Sequence, residues 1–232
     1  MVKPIIGIVG RFNNETKSKS FVYDEYRLAI IKAGGIPILL LPIYENDMAN
    51  ISPFFPDNTK YQNITHHMVH LCDGILFPGG SSWYGFEQEI YRYAYQKDIP
   101  MLGICLGMQM IGCAPYFNNQ NSDHTILVDS PCIHKTNSNY AHTISILGGK
   151  LKKIFKTDVI SVNSRHISCL QANDSFFITA VSLDNVIEAI EIPNKTFIIG
   201  VQWHPESNYD TDEYSQLLFQ EFISVCHKKT AN

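Results

Sequence analysis

The stretch PMLGICLGMQ, residues 100–109, organises the predicted fold. An apolar run leads into Cys105, a glycine lies two residues to either side of it, and a helix-like apolar segment follows. This order is typical of a nucleophile elbow, a sharp strand-to-helix turn that presents one side chain above a sheet. The glycines would relieve crowding at the reversal, and the helix N-terminus would favour a thiolate. The alternative is a structural cysteine at a strand end, because free cysteines are among the most buried residues.

The composition limits the classes of function. Of the 232 residues, 45% are hydrophobic and 17% are charged, and the net charge of −4 gives no case for a nucleic-acid partner. No apolar stretch approaches the roughly 20 residues that cross a bilayer. A strand begins at once, which leaves no room for a signal peptide. The six cysteines lack CxxC spacing, so we expect reduced thiols in a cytoplasmic protein.

One histidine cluster invites a metal interpretation. His66, His67 and His70 lie close together in the chain, but no cysteine or carboxylate joins them at ligand spacing. A solvated helix face explains them better. We therefore predict no metal site and no cofactor.

The first half of the chain alternates between strand and helix patterns. Near-continuous apolar runs at 4–10 and 36–41 flank a helix pattern at 23–32, which Gly34-Gly35 ends. This is a strand–helix–strand unit with a right-handed parallel crossover. A third strand ends in Gly79-Gly80, where backbone N–H groups could approach a ligand or simply form a tight turn.

The second half carries short strand-like runs separated by turn residues. They lie at 125–128, 143–146, 158–163, 176–181 and 186–191, and the last two form a hairpin around Asp184-Asn185. A core strand at 197–202 and a helix at 212–227 complete the chain. We expect one α/β domain over residues 1–232, with a central, mostly parallel sheet flanked by helices and a small antiparallel section in the C-terminal half. We expect residues 44–60 to form either a loop that covers a site or a surface insertion without a function.

A second group of chemistry-bearing residues follows the last core strand, in WHPE at 203–206. A thiolate nucleophile needs a base that takes and returns a proton, and histidine serves at neutral pH. The imidazole needs an acceptor that fixes its tautomer and orientation. His204 and Glu206 lie two residues apart on a segment stiffened by Pro205, so both can point the same way. With Cys105 they form a nucleophile, base and orienting group.

These segments carry a family resemblance. GICLGMQ (103–109) and GVQWHPE (200–206) resemble the two signatures of the class I glutamine amidotransferase superfamily, and FPGG (77–80) resembles its oxyanion-loop segment. The resemblance spans nearly the whole chain and implies a flavodoxin-like domain with a Cys105, His204 and Glu206 triad. It also implies an oxyanion hole formed by the backbone N–H groups of Leu106 and of Gly79 or Gly80. Gln109 falls where family members contact the γ-glutamyl group.

Within the superfamily, the chain resembles the γ-glutamyl hydrolase branch, peptidase family C26, which includes the γ-glutamyl-γ-aminobutyrate hydrolases. The residues that carry this likeness lie at 26–42 and in VNSRH at 162–166, similar to the branch's Val-Asn-Ser-x-His-His-Gln. It implies substrate contact by Asn163, Ser164 and His166, mainly through the backbone; the alternative is an ordinary strand end. The chain departs from the branch at Ile167-Ser168, in SSWY at 81–84 and in CAP at 113–115.

We therefore expect a cysteine-dependent hydrolase that cleaves the γ-glutamyl amide bond of a small conjugate through a thioester and releases glutamate and an amine. The alternative is a glutaminase subunit that passes ammonia to a separate synthetase partner. A third interpretation is a degenerate relative that binds a ligand without catalysing a reaction. The DJ-1-like proteins, a neighbouring superfamily, also have a cysteine elbow but lack the His-Pro-Glu segment. The sequence leaves the leaving amine and the oligomeric state open, a homodimer included. The loops at 44–60 and 81–86 and residues 163–168 are expected to select the amine.

Overall fold

The computed structural model describes residues 2–12, 20–42, 59–83, 85–116, 127–130 and 134–230. Most of the 44–60 loop and Tyr84 lie outside these residues, so the predictions made for them stay predictions. The helices in the described part are α1 Asp24–Ala33, α2 Thr59–His70, α3 Gly85–Gln96, α4 Leu106–Cys113, α5 Gly149–Phe155 and α6 Glu213–Thr230.

The strands are short. They are β1 Ile5–Val9, β2 Arg11–Phe12, β3 Ser20–Phe21, β4 Ile36–Leu40, β5 Gly74–Phe77, β6 Met101–Ile104, β7 Leu127–Asp129, β8 His142–Ile146, β9 Val159–Val162, β10 Ser168–Leu170, β11 Phe177–Ser182, β12 Ile187–Glu191 and β13 Ile198–Val201. Of these, β2, β3 and β10 were not predicted from the sequence.

Nine of these strands form one sheet in the order β4-β1-β5-β6-β13-β12-β11-β8-β9. The first five are parallel, and the last four continue the sheet with antiparallel pairing. The expected α/β architecture is confirmed, and the antiparallel section extends the main sheet. Two small ribbons, β2-β3 and β7-β10, lie outside it.

The central strands are apolar because helices cover both faces of the sheet. Every residue of β5, β6 and β13 is buried, as expected for parallel strands between two helical layers. These are the strands that precede Gly79-Gly80, Cys105 and His204. Since parallel strands end at the same edge, the fold brings the three sequence motifs together there.

Two predicted turns are confirmed by the backbone. Gly34 ends α1 with a φ of 102°, a left-handed conformation that suits glycine. Asn185 has a φ of 62° in the turn between β11 and β12, which pair as the predicted hairpin. None of the helices described here is both long and apolar enough to cross a membrane.

Candidate active site

Cys105 lies in the sharp turn between β6 and α4. Its φ of 51° and ψ of −106° are unusual for a residue with a side chain, and such conformations persist only where the surroundings impose them. One such constraint is the Cys105 N–H, which donates to the Val201 carbonyl oxygen at 2.8 Å. This backbone geometry is that of the predicted elbow.

The glycines around Cys105 are required by close packing. A Cβ on Gly107 would lie 2.1 Å from the Phe77 carbonyl oxygen, and one on Gly103 would lie 2.7 Å from the Gly107 carbonyl carbon. Real Cβ atoms do not approach backbone atoms so closely, so a side chain at either position would push α4 away from the sheet. The predicted role of the glycines in relieving crowding agrees with these distances.

His204 and Glu206 face Cys105 from the end of β13. His204 Nδ1 lies 2.7 Å from Glu206 Oε1, and the imidazole is also hydrogen-bonded to Cys105. Because a carboxylate can only accept, Nδ1 carries a proton and Nε2 is left to exchange one with the thiol. The three residues predicted as nucleophile, base and orienting group are thus brought together.

The electrostatics of this group favour a protonated imidazole. Burial by itself lowers the pKa of His204, but the Glu206 carboxylate and the hydrogen bond to Cys105 outweigh it and raise the pKa. An imidazolium beside a thiol stabilises the thiolate, which is the reactive form of cysteine. Such an arrangement is chemically suited to nucleophilic attack by sulfur.

Asn163 holds the backbone of His204. Its side-chain Nδ2 donates to the His204 carbonyl oxygen at 2.8 Å, and the His204 N–H donates to Asn163 Oδ1 at 2.8 Å. Asn163 is buried and directly follows β9. This paired contact fixes the position of the imidazole relative to Cys105.

Arg11 orients the loop that carries Gly79 and Gly80. Its guanidinium donates to the carbonyl oxygens of Pro78 and of Gly79, the latter at 3.0 Å, and is paired with the buried carboxylate of Glu87. In a trans peptide the N–H points opposite to the C=O. The N–H groups of Gly79 and Gly80 therefore point away from Arg11.

The two glycine amides are not equivalent. The Gly79 N–H donates to the Tyr26 hydroxyl oxygen at 2.9 Å, so that amide already has an acceptor. A Cβ on Gly79 would lie 2.7 Å from His204 Cε1, which places this glycine directly against the base. The predicted oxyanion donors that remain for a substrate are the amides of Gly80 and Leu106.

A cavity of about 380 Å³ opens over Cys105 and His204. The residues that line it beyond those predicted are Tyr23, Glu25, Tyr26, Arg165 and Ser207. Tyr26 is buried, and burial followed by the charges of Glu206 and Cys105 raises the pKa of its hydroxyl. Glu25 and Arg165 are exposed and place opposite charges at the rim.

Sequence reasoning missed these lining residues for identifiable reasons. Tyr26 belongs to the apolar face of α1, and Arg165 was one letter within a family motif. Arg11 follows β1 with no motif around it. The only available signal for Tyr26 was its place in the segment that resembles the γ-glutamyl hydrolase branch.

The predicted substrate-contact residues do not line the cavity, and their side chains have other partners. Gln109 Nε2 donates to the Ser168 carbonyl oxygen and to Gln202 Oε1. Ser164 Oγ donates to the His134 carbonyl oxygen, and the His166 ring lies against His134. With Asn163 committed to His204, substrate contact by these four side chains stays a prediction, and the structure gives them supporting contacts.

The histidines first weighed as metal ligands are arranged as ordinary surface residues. His66 stacks on Tyr93 with ring centroids 4.0 Å apart and lies 2.6 Å from Glu89. His67 is exposed and contacts the Asn63 carbonyl oxygen. Within the described residues, metal-ligand spacing occurs at His134, His166 and Glu188. Of these, the sequence indicated a role for His166 alone, as a substrate contact.

Comparison with solved structures places the fold among glutamine amidotransferase domains. The Trypanosoma brucei CTPS glutaminase domain with bound acivicin superposes with a TM-score of 0.67 and 19% identity, covering 97% of this chain and 94% of that one. A glutamine amidotransferase from Thermotoga maritima gives a TM-score of 0.58 at 12% identity and covers both chains completely. At these identities the likeness concerns the fold.

Comparison of sequences identifies the family. The Peptidase C26 family model matches residues 84–206. A Schizosaccharomyces pombe protein with the provisional name glutamine amidotransferase is 32% identical over 99% of this chain and 90% of its own length. The Escherichia coli γ-glutamyl-γ-aminobutyrate hydrolase PuuD is 26% identical over 100% of this chain and 96% of its own length. This chain belongs to the peptidase C26 family and is a glutamine amidotransferase-type hydrolase of amide bonds.

Proposed function

We propose that this protein cleaves the γ-glutamyl amide bond of a small γ-glutamyl conjugate, with Cys105 as nucleophile, His204 as acid and base, and Glu206 as the orienting carboxylate. The observation that carries the proposal is the convergence of these three side chains at one cavity. The strained backbone of Cys105 is a second support, because it holds the sulfur toward that cavity.

The reaction begins with attack of the Cys105 sulfur on the γ-carbonyl carbon. The carbonyl oxygen takes the electron pair, and the amides of Gly80 and Leu106 would stabilise that charge. Each such donor typically contributes a few kcal/mol of transition-state stabilisation. As the C–N bond breaks, the His204 imidazolium gives its proton to the departing amine.

A water molecule completes the cycle. His204, now neutral, takes a proton from water as the oxygen attacks the thioester carbonyl, and the C–S bond breaks to release glutamate and the Cys105 thiolate. Glu206 keeps the imidazole in one tautomer through both steps, because its carboxylate accepts from Nδ1 throughout. The protonated imidazole and thiolate are then restored.

The charges at the cavity rim support a charged, amino acid-like substrate. Glu25 and Arg165 line the same cavity with opposite charges, and a γ-glutamyl conjugate presents an ammonium and one or more carboxylates. The volume of about 380 Å³ suits a small conjugate. Relatives named γ-glutamyl-γ-aminobutyrate hydrolase belong to the same substrate class.

A glutaminase subunit working with a synthetase is the second candidate. A Chlamydia muridarum CTP synthase is 26% identical over 87% of this chain and 40% of its own length. This candidate predicts that hydrolysis of free glutamine rises sharply when a partner synthetase is added. Efficient turnover of γ-glutamyl amides by the isolated chain supports the hydrolase instead.

The proposal is tested by substituting Cys105. We expect Cys105→Ala to lose all measurable turnover across γ-glutamyl-γ-aminobutyrate, γ-glutamylpolyamines, γ-glutamylethanolamine and glutamine, while its circular dichroism spectrum and thermal midpoint stay near those of the unmodified protein. A glutamine-analogue electrophile should label Cys105 with one adduct per chain, seen by mass spectrometry.

Cys113 offers a matched control at the other end of α4. Burial raises the pKa of its thiol to about 12, so it stays protonated and unreactive. Cys113→Ala should keep both turnover and labelling. Turnover that survives in Cys105→Ala would refute the proposed mechanism, and labelling that moves to Cys113 would refute the assignment of the nucleophile.

A further inference from the structure

A second group of histidines and carboxylates lies beneath the antiparallel half of the sheet. His134 Nδ1 is 3.2 Å from His166 Nε2 and 3.3 Å from Glu188 Oε1. His166 Nε2 is 3.8 Å from the same carboxylate oxygen. All three residues are buried, Glu188 completely. The proposed hydrolysis uses none of them.

Hydrogen bonds on the outer side of each ring favour one tautomer. His166 Nδ1 lies 3.1 Å from the Ser168 carbonyl oxygen, which can only accept, and 2.9 Å from Ser130 Oγ, which can accept as well as donate. A proton on Nδ1 suits both partners. His134 Nε2 lies 3.0 Å from a carboxylate oxygen of Asp184 and is protonated for the same reason. The inner nitrogens, His134 Nδ1 and His166 Nε2, therefore present lone pairs to each other and to Glu188.

The nearest hydroxyl does not relieve this convergence. Ser164 Oγ is 3.4 Å from His134 Nδ1, but its proton is donated to the His134 carbonyl oxygen at 2.6 Å. With a proton on each outer nitrogen, two nitrogen lone pairs and a carboxylate oxygen face one point, and a cation there would neutralise them. The alternative arrangement, in which Ser130 donates to His166 Nδ1 and His166 Nε2 donates to His134 Nδ1, needs no cation; the metal-binding test separates the two. The separations of 3.2, 3.3 and 3.8 Å bracket the ligand spacing of about 3.3 Å in a tetrahedral zinc site with Zn–N near 2.05 Å.

We propose that His134, His166 and Glu188 bind a zinc ion through His134 Nδ1, His166 Nε2 and the Glu188 carboxylate. Zinc takes imidazole and carboxylate ligands in this number, with a further position open to water. Histidine ligands commonly donate their second N–H to a carboxylate or a backbone carbonyl, which is the arrangement that Asp184 and Ser168 provide.

An unpartnered buried atom is the independent observation that points to a ligand. Glu188 Oε2 is fully buried and has no hydrogen-bond partner among the described residues. The other oxygen, Oε1, accepts from His142 Nε2 at 2.9 Å. The contacts of Glu188 with the histidines are made by Oε1. A cation at the cluster would bind a carboxylate that is only half satisfied in the interior, which is a costly state.

The position of the cluster indicates a structural role. His166 and Ser164 flank Arg165 in sequence, and Ser164 is bonded to the residue that supplies a zinc ligand, His134. Bound zinc would tie the 163–168 segment to β12, and so hold Arg165 at the cavity rim. The ion would lie outside the cavity that contains Cys105.

The test is zinc binding by the full chain after metal is stripped with a chelator. We expect one equivalent of Zn²⁺ per chain, measured by elemental analysis after dialysis and by competition with a chromophoric chelator. Co²⁺ should give the visible absorption of a tetrahedral site. Glu188→Gln and His166→Gln should lose the stoichiometric metal, and Asp184→Asn should lower the affinity by about 10–100-fold because it acts through His134.

His66→Gln is the matched control, because it removes a histidine from the His66, His67 and His70 face and leaves the cluster intact. It should bind zinc as the unmodified chain does. Asp184 is part exposed, so its variant should fold even if Glu188→Gln does not. Stripped protein that takes up no zinc would overturn the proposal and show that a proton holds the cluster together. Uptake that Asp184→Asn leaves unchanged and His66→Gln abolishes would overturn it as well.

Discussion

The parallel and antiparallel halves of the sheet carry different kinds of function. The parallel strands β5, β6 and β13 end at the proposed oxyanion loop, nucleophile and base, in that order, so the groups that would act on the acyl carbon come from one edge. The antiparallel half supplies Asn163 and Arg165 after β9, and Glu188 from β12. The first half would perform the bond cleavage, and the second would position the base and meet the departing group.

The two halves also differ in how their geometry is fixed. In the parallel half, backbone constraints dominate, since Gly103, Gly107 and the Cys105 turn leave no room for other arrangements. In the antiparallel half, side-chain hydrogen bonds dominate, from Asn163 to the cluster around Glu188. A side chain at Gly103 or Gly107 has no space, whereas one side-chain hydrogen bond can be replaced by another, so we expect substrate choice to be set in the second half.

After the complete loss expected for Cys105→Ala, the largest effect is expected inside the parallel half, at Glu206. Glu206→Gln keeps the shape but allows the wrong imidazole tautomer, and a comparable change in a serine protease triad lowers kcat by about 10⁴-fold. We expect a loss of that order in the kcat for γ-glutamyl amides. Fixed-time assays at a saturating concentration of a γ-glutamyl amide measure this loss in kcat.

The pH dependence of stability gives Glu206→Gln a second readout. The pKa of His204 is raised in the folded state, so its contribution to the free energy of unfolding is complete below the unfolded value of about 6.5 and is lost as pH rises through the folded value. The stability difference between the unmodified protein and Glu206→Gln should therefore shrink as the pH rises from about 6.5 to about 10. Glu25→Gln, a rim carboxylate, should show neither effect; equal losses in both variants would contradict the role of Glu206.

The parallel half was predictable because its residues are fixed by local sequence. Local patterns predict each part of it: a strand-like run, a cysteine between glycines and a His-Pro-Glu segment. The parallel topology then places these segments at one edge of the sheet. Arg11 escaped prediction because its function depends on two carbonyl groups and on Glu87, residues far away in the chain. No local pattern marks such a contact.

The second prediction probes the link between the halves. Asn163→Ala removes both hydrogen bonds that fix the His204 backbone, and a displaced catalytic group can cost about 10²-fold in rate. We expect kcat to fall by about that factor with KM little changed, because Asn163 does not line the cavity. Steady-state kinetics with one γ-glutamyl amide separates the two constants.

Asn208 provides the control for this comparison. It is a buried asparagine whose Nδ2 donates to the Asn139 carbonyl oxygen at 2.8 Å, and in the described part of the chain its side chain makes no hydrogen bond to His204. Asn208→Ala should lose similar thermal stability and keep kcat. If the two variants lose the same activity, Asn163 is only a structural residue and the halves are not coupled through it.

The antiparallel half was hard to predict because its motif residues contact other side chains instead of the substrate cavity. His166 and Ser164 fit a family pattern that implies substrate contact, yet His166 lies against His134 and Ser164 donates to the His134 backbone. His134 comes from a stretch with no apolar period, and Glu188 lies in the predicted hairpin strand at 186–191, where nothing in the sequence marks a buried carboxylate. Long-range pairing between polar side chains buried them, and sequence spacing does not report it.

The smallest effect is expected at the rim, at Arg165. Its side chain is exposed and donates to Ser207 Oγ at 3.0 Å, so an ion pair with a substrate carboxylate should contribute no more than about 1 kcal/mol. Arg165→Ala should raise KM for γ-glutamyl-γ-aminobutyrate by about two- to fivefold, at unchanged kcat. Added salt should reduce the difference, because exposed charges are screened.

The choice of substrate shows which carboxylate Arg165 contacts. γ-Glutamylethylamide shares the glutamyl group and lacks the carboxylate of the leaving amine, so Arg165→Ala should leave its KM unchanged if Arg165 meets the departing group. Lys135→Ala is the matched control, since Lys135 pairs with Arg165 through the backbone and lies outside the cavity lining. Equal KM increases for both substrates would show that Arg165 contacts the glutamyl group. Both halves of the sheet would then bind the glutamyl group.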